Sequence, residues 1–142
     1  MATDSPGRQP IVISMNPRFF GAWLLDRFES QLPDGTVSRP WGDDPFGIIC
    51  WDSTGYFAVQ LGPRVPGGAG DYVAFYGTAQ APDGESGTIV LRVVGSSSPD
   101  RVNGDQLRNF LFLEPGLLRM RPPAGPTGAQ SSFTWRRAEA PA

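Results

Sequence analysis

The chain has 142 residues and a formal net charge of −2, with twelve arginines, no lysine and no histidine. This length suits one domain with one core, and this charge gives no electrostatic case for binding nucleic acid or an anionic membrane. The absence of lysine excludes Schiff-base chemistry through a lysine amine. The absence of histidine excludes Ser-His-Asp and Cys-His catalysis and a His-ligated haem.

Cys50 is the only cysteine, which excludes a disulfide within the chain and a cysteine zinc site. Because it lies in the apolar run FGIICWD, we expect a buried structural thiol. The adjacent acids Asp43 and Asp44 fit a solvated loop, and we expect neither a metal nor a cofactor. The N-terminal stretch MATDSPGRQP is polar and no stretch approaches ~20 apolar residues, so we expect a cytoplasmic protein that does not bind membranes.

Short runs rich in β-branched and aromatic residues alternate with turn residues along the chain. In chain order, the predicted strands cover 21–32, 46–52, 56–62, 71–80, 88–94, 106–114, 117–121 and 131–137. About eight strands at this spacing are typical of an all-β sandwich or barrel, and the hairpin-like connections favour up-and-down order. We expect one barrel domain over 16–137, with a flexible arm over 1–15 and a flexible tail over 138–142.

Closure of the sheet solves a physical problem for so many short strands. An open sheet would expose two edges, each with unpaired backbone donors and acceptors. A closed antiparallel barrel of about eight strands removes both edges and encloses a space that side chains or one small ligand can fill. The prediction is therefore a single antiparallel up-and-down β-barrel with a central ligand cavity.

The blocks GAWLLDRFE, DGTVSRPWGDDPFGIICWDSTGYFAVQL, DYVAFYGTAQ, TIVLRVVGSSSP and FTWRR stand in an order and spacing that resembles one known family. The chain resembles the bacterial and fungal lipocalin-like domain family, relatives of the calycins, from about Phe20 to Arg137. The resemblance implies a β-barrel whose ligand cavity is open at one end. The long central block is the most specific part, whereas Gly-x-Trp alone is weak.

The resemblance also assigns a role to the tryptophan of Gly-x-Trp. In lipocalin-type barrels this residue, here Trp23, plugs the closed end, and an arginine after the last strand, here Arg136 or Arg137, covers it. A guanidinium stacked on an indole is worth ~0.5–2 kcal/mol. One departure from the family stands in the run TIVLRVV, where Leu91 and Arg92 occupy the place of an expected histidine.

Alternation along a strand places Leu25, Arg27 and Glu29 on the same face as Trp23. With Trp23 inside the barrel, we expect all three to face the cavity. A charge buried alone is very unfavourable, so Arg27 and Glu29 are expected to pair. The pair is either a structural ion pair at a wet barrel mouth or a group that orients substrate and handles protons.

Further cavity candidates come from two strands with alternating faces. Tyr72 and Tyr76 share one face of their strand, and large aromatics with a polar tip suit a ligand cavity. Tyr56 and Gln60 share a face of the preceding strand. We interpret both faces as cavity wall.

Arg92 shares a face with Val90 in an otherwise apolar run. This face is either the cavity, with Arg92 as a lone polar anchor, or the solvent side. Trp41, in the loop RPWGDDPFG, is expected at a barrel end, where it would cover the mouth.

Two functions from different classes remain open, and the charged, tyrosine-bearing interior expected here favours the first. The first is a cofactor-independent cyclase or isomerase that folds an apolar substrate for ring closure, in bacterial secondary metabolism. Glu29 would be its base, with Tyr76 and Arg92 as hydrogen-bond donors to a carbonyl. The second is a carrier or sequestering protein for an apolar metabolite. A structural barrel with a filled core is a third reading, and a homodimer stays open.

Overall fold

The computed structural model describes residues 14–64 and 72–139, and most of its regular structure is β-strand. The strands are β1 (Gly21–Gln31), β2 (Val37–Ser38), β3 (Phe46–Trp51), β4 (Tyr56–Gly62), β5 (Val73–Gln80), β6 (Ser86–Ser96), β7 (Asp105–Glu114), β8 (Leu117–Arg121) and β9 (Gln130–Arg137). A single turn of 3₁₀ helix precedes β1 at Pro17–Phe19, and another precedes β7 at Pro99–Arg101.

Eight of these strands form a closed antiparallel barrel. From β3 to β9 each strand pairs with its neighbour in sequence, β1 pairs with β3, and β1 also pairs with β9. The pairing of β1 with β9 joins the two edges of the row, which is the closure that the strand count predicted. The two-residue β2 is an addition beside the end of β1. The prediction of an all-β, up-and-down barrel is confirmed.

Residues 1–13 and 140–142, most of the expected arm and tail, lie outside the described residues. Within the described part, Met15 is buried in the core. The Nδ2 atom of Asn16 donates to the carbonyl oxygens of Pro82 and Gly84, at 3.0 Å in each case. These contacts attach the chain to the β5–β6 connection just before the barrel begins.

An aromatic cluster fills the end of the barrel beneath β1. Phe19 makes edge-to-face contacts with Trp51, Phe110 and Phe112, at centroid separations of 5.1, 5.0 and 5.0 Å. Phe19 and Trp23 are fully buried, and the indole nitrogen of Trp23 donates to the carbonyl oxygen of Phe19 at 2.8 Å. Edge-to-face packing of this kind is favourable beyond the area it buries. This end of the barrel is therefore closed by packed side chains.

The guanidinium of Arg137 covers Trp23 from outside, with its Cζ 4.2 Å from the indole ring centroid. Gly21 has a φ of 115°, and a Cβ at this position would lie 3.2 Å from Nη1 of Arg137. The glycine of Gly-x-Trp thus supplies a backbone conformation that other residues rarely adopt and room for the arginine. The expected cover of Trp23 by an arginine is confirmed, and the arginine is Arg137 rather than Arg136.

The opposite end of the barrel is framed by the β2–β3, β4–β5, β6–β7 and β8–β9 connections. We call it the open end. Residues 65–71 of the β4–β5 connection lie outside the described residues.

Cys50 lies on the outer face of β3 and is exposed. Its neighbours Ile49 and Trp51 take the inner face and are buried. The expectation of a buried thiol is therefore wrong, because an apolar run in a strand still alternates between the two faces of the sheet.

Candidate functional site

A cavity of about 200 Å³ lies inside the barrel. Because Trp41 and Arg101 belong to connections at the open end, the cavity reaches that end. Ten lining residues are apolar or aromatic and two are arginines. The lining consists of Trp41, Ile49, Val59, Leu61, Val73, Phe75, Leu91, Arg101, Arg108, Met120, Phe133 and Trp135.

The polar part of this lining is Arg101 and Arg108. On β7, Nη1 of Arg108 donates to the carbonyl oxygen of Leu107 at 2.8 Å. Arg101 ends the 3₁₀ turn before β7, and its Cζ lies 5.2 Å from the ring centroid of Phe75. Burial, and secondarily the positive charge of Arg101, lower the pKa of Arg108 from its ordinary value. A guanidinium nevertheless stays protonated near neutral pH.

Sequence reasoning missed both arginines. For Arg108 a signal existed, because alternation places it on the same face as Phe110 and Phe112, whose size marks the inner face of β7. Arg101 lies in the loop GSSSPDRVNGD, where no periodicity orients a side chain.

Arg27 and Glu29 lie on the outside of the barrel, so their expected inward orientation is wrong. The register of β1 against β9 shifts at Asp26, which is the extra residue of a β-bulge. A bulge sets two residues opposite one, so each side chain beyond it changes face. Phe28 takes the inner face instead and stacks on Phe133, with ring centroids 4.5 Å apart.

The outer charges beyond the bulge form a chain of ion pairs. Glu29 lies 3.8 Å from Nε of Arg27 and 3.4 Å from Nε of Arg39, and Arg27 also lies 3.5 Å from Asp26. Arg27 and Glu29 are paired as expected, but at the surface, where each contact contributes ~0–1 kcal/mol. Glu29 is therefore not placed to act as a base in the cavity.

Tyr56, Gln60, Tyr72 and Tyr76 also lie outside the barrel, and their interpretation as cavity wall is wrong. The three tyrosines are 54%, 47% and 48% exposed, and the hydroxyl of Tyr72 donates to Oε1 of Gln60 at 2.8 Å. The alternate residues of the same strands, such as Val59, face the cavity. Burial of the fully apolar face of each strand decides the orientation and leaves the tyrosine hydroxyls in water.

Val90 and Arg92 occupy the outer face of β6, which corrects the cavity role expected for them. Their neighbours Ile89 and Leu91 are buried on the inner face. Nη2 of Arg92 lies 3.2 Å from the Asp105 carboxylate across the β6–β7 pair. The solvent-side alternative is therefore the correct one, and neither catalytic candidate Tyr76 nor Arg92 reaches the cavity.

Trp23, Leu25 and Trp41 are the remaining predicted cavity residues. The first two lie on the inner face and are buried in the core. Trp41 lines the cavity and packs on Phe28, with ring centroids 4.6 Å apart. Contact of Trp41 with a ligand stays a prediction, whereas Trp23 and Leu25 are not among the residues that line the cavity.

Residues 20–66 match a family model described as a lipocalin-like domain. The resemblance stated from the sequence is confirmed over this segment, which runs from the start of β1 to just beyond β4. The lipocalin-like fold, with its cavity, suggests that the protein binds a small molecule. Arg101 and Arg108 lie outside the matched segment.

Two designed β-barrels of known structure are similar in shape. A redesigned β-barrel is 14% identical and has a TM-score of 0.49, over 89% of this chain and 99% of its own. A de novo designed fluorescence-activating β-barrel is 15% identical and has a TM-score of 0.47, over 89% of this chain and 100% of its own. No curated protein matches the chain significantly.

In the described ranges, 14–64 and 72–139, no helix is long and apolar enough to cross a membrane.

Proposed function

We propose that this protein binds a small apolar molecule in the cavity of its barrel and acts as a carrier or sequestering protein. The observation that supports this proposal is the cavity of about 200 Å³ with ten apolar or aromatic lining residues. Pockets for drug-sized ligands have volumes of ~300–1,000 Å³, so the expected ligand is smaller or extends through the open end.

Burial of such a ligand in the cavity is favourable without any catalytic group. Each buried methylene contributes ~0.8 kcal/mol, so an eight-carbon chain gains about 6 kcal/mol before the loss of translational and rotational freedom. The aromatic rings of Trp41, Phe75 and Phe133 provide flat surfaces against which such a chain packs.

The test uses N-phenylnaphthylamine, an uncharged apolar probe whose fluorescence rises when it leaves water. Val59→Phe fills the cavity, whereas the neighbouring Gln60→Phe adds the same ring to the outer face. We expect the first variant to weaken probe binding about tenfold or more and the second to leave it unchanged. Equal effects of the two variants, or no binding to the wild type, would contradict the proposal. Leu91→Phe and Val90→Phe form a second pair should Val59→Phe fold poorly.

A cofactor-independent cyclase or isomerase of secondary metabolism is the second candidate. One observation favours it, because Arg108 lines a cavity that is otherwise mostly apolar, and a guanidinium there could donate hydrogen bonds to a substrate carbonyl. The base and the donors first assigned to this reaction, Glu29, Tyr76 and Arg92, lie outside the cavity. The reaction would therefore depend on folding of the substrate by the walls and on the arginine.

The two candidates differ in the fate of the bound molecule. A carrier returns its ligand unchanged, whereas an enzyme converts many equivalents, which mass spectrometry of the released small molecule distinguishes. With a true substrate, Arg108→Gln would lower the rate more than the affinity. With a carried ligand, the same substitution would change affinity alone.

A further inference from the structure

We infer that the ligand of this cavity is an apolar carboxylic acid, bound as its carboxylate by Arg101 and Arg108. This inference rests on the proposed function and names the class of ligand for the same cavity. It is carried by the placement of two cations in an apolar lining that contains no acid among the described residues.

Neither Arg101 nor Arg108 forms an ion pair with a described residue, which is also true of Arg18, Arg119, Arg121 and Arg137; the two differ from these four by lining the cavity. Among residues 14–64 and 72–139, the ion pairs use five other arginines, which are Arg27, Arg39, Arg64, Arg92 and Arg136. Arg101 contacts the ring of Phe75, and Arg108 donates one hydrogen bond to the backbone. A guanidinium carries five N–H donors, so most donors of both side chains remain for a ligand.

Two like charges beside one apolar cavity are unfavourable in the empty protein. Arg108 and Arg101 line the same cavity, and burial and the neighbouring charge of Arg101 both lower the pKa of Arg108. One bound anion would oppose both effects, because it attracts both guanidinium groups. A neutral apolar ligand would leave the repulsion between the two guanidinium groups unchanged and would displace water that solvates them.

The rest of the lining favours a carboxylate over a larger anion. The two oxygens of a carboxylate match the parallel N–H groups of a guanidinium. Beyond the arginines, the described lining has no hydroxyl or amide side chain, and its only other N–H donors are the indoles of Trp41 and Trp135, so few groups could bind the additional oxygens of a phosphate. Since Arg101 belongs to the β6–β7 connection, the carboxylate would lie toward the open end and the apolar tail toward Met120 and Trp135.

The experiment compares octanoate, octanol, octylamine and octyl phosphate by displacement of N-phenylnaphthylamine from the full chain. We expect octanoate to bind about tenfold or more tightly than octanol, and octylamine and octyl phosphate to bind more weakly than octanoate. Equal affinities of octanoate and octanol would overturn the inference. Tighter binding of octyl phosphate would overturn the assignment of a carboxylate.

Variants locate the effect at the two arginines. Arg108→Gln and Arg101→Gln should each lower the affinity for octanoate about 10- to 100-fold and lower the affinity for octanol by a much smaller factor. Arg119→Gln is the matched control, because Arg119 lies on the outer face of β8 and its pKa is also lowered by burial. This control variant should change the affinity for neither octanoate nor octanol. Equal loss of octanoate and octanol in Arg108→Gln, or loss of octanoate in Arg119→Gln, would contradict the inference.

Failure of this inference is distinguishable from failure of the proposed function. If the uncharged probe and octanol bind inside the barrel and octanoate has no advantage, the cavity binds ligands and the carboxylate assignment is wrong. If neither the probe nor any of the octyl compounds binds, both proposals are wrong.

Discussion

Arg137 covers the indole of Trp23 and links the last strand of the barrel to the segment before the first. Its Cζ lies 4.2 Å from the ring centroid, and its guanidinium donates to the carbonyl oxygens of Phe20 at 2.7 Å and Arg18 at 2.8 Å. A single side chain thus covers the plug of the closed end and satisfies two backbone acceptors beside it. This end has a structural role, and the cavity lies toward the other end.

Replacement of Arg137 should destabilise the barrel without changing its cavity. We expect Arg137→Met to lower the free energy of unfolding by about 1–2 kcal/mol, because it removes the guanidinium from the indole and its two hydrogen bonds. Urea denaturation measures the change. Arg136→Met is the control, since Arg136 is exposed and lies 3.9 Å from Asp26, and it should change the stability by less than ~0.5 kcal/mol. Equal losses in the two variants would contradict this account of the closed end.

The bulge at Asp26 predicts opposite results at two adjacent positions. Phe28→Ala removes a ring that packs on Phe133 and Trp41 and should destabilise the protein by about 2–3 kcal/mol. Arg27→Ala removes a half-buried side chain whose ion pairs lie at the surface, and it should change the free energy of unfolding by less than about 1 kcal/mol. Chemical denaturation of the two variants compares them directly. A larger loss in Arg27→Ala would mean that β1 keeps its simple alternation.

Arg108 should decrease the stability of the empty protein. Its guanidinium has no carboxylate partner among the described residues, and the charge of Arg101 is close enough to lower its pKa. We expect Arg108→Met to leave the unfolding free energy unchanged or to raise it by about 1 kcal/mol, since an apolar side chain of similar length fills the same space. Thermal denaturation without added ligand tests this. A clear loss of stability would show that the arginine supports the fold.

Substitutions at the outward candidates should not affect ligand binding. We expect Glu29→Gln, Tyr76→Phe and Arg92→Gln to leave the affinity for N-phenylnaphthylamine within about twofold, because none of these side chains lines the cavity. Trp41→Ala should lower the affinity for the probe about tenfold, since it removes an aromatic ring from the cavity lining. Fluorescence titration of the four variants measures both effects. A strong effect at Tyr76 with none at Trp41 would reverse the assignment of faces.

The closed barrel could be predicted from the sequence because strand spacing and hairpin connections act over the whole chain. The pairing of Trp23 with an arginine near the C-terminus followed from the resemblance. The inner face of β1 could be predicted as far as Leu25. Beyond that point the extra residue Asp26 moves each side chain of β1 to the opposite face of the sheet. The sequence does not mark this bulge, because side chains alternate normally both before and after it.

The cavity wall was harder to predict because both faces of β4 and β5 carry large residues. Tyr72 and Tyr76 have a polar tip and an apolar body, so they suit a ligand site and a wet outer surface equally well. In the structure the opposite faces of β4 and β5 point inward, because their side chains, such as Val59 and Phe75, have no polar atom. In β7, the same rule applied to Phe110 and Phe112 would have placed Arg108 inside.

The most direct measurement of ligand binding inside the barrel is methyl NMR of the labelled protein during titration with N-phenylnaphthylamine. The aromatic rings of the probe shift nearby methyl signals, so inner and outer methyl groups report separately on its position. The inner reporters are Val59, Leu61, Val73 and Leu91. The outer reporters are Val90, Val94, Leu107 and Leu113. We predict saturable shifts of the inner signals with the outer signals unchanged, whereas shifts confined to the outer signals would contradict the cavity as the ligand site.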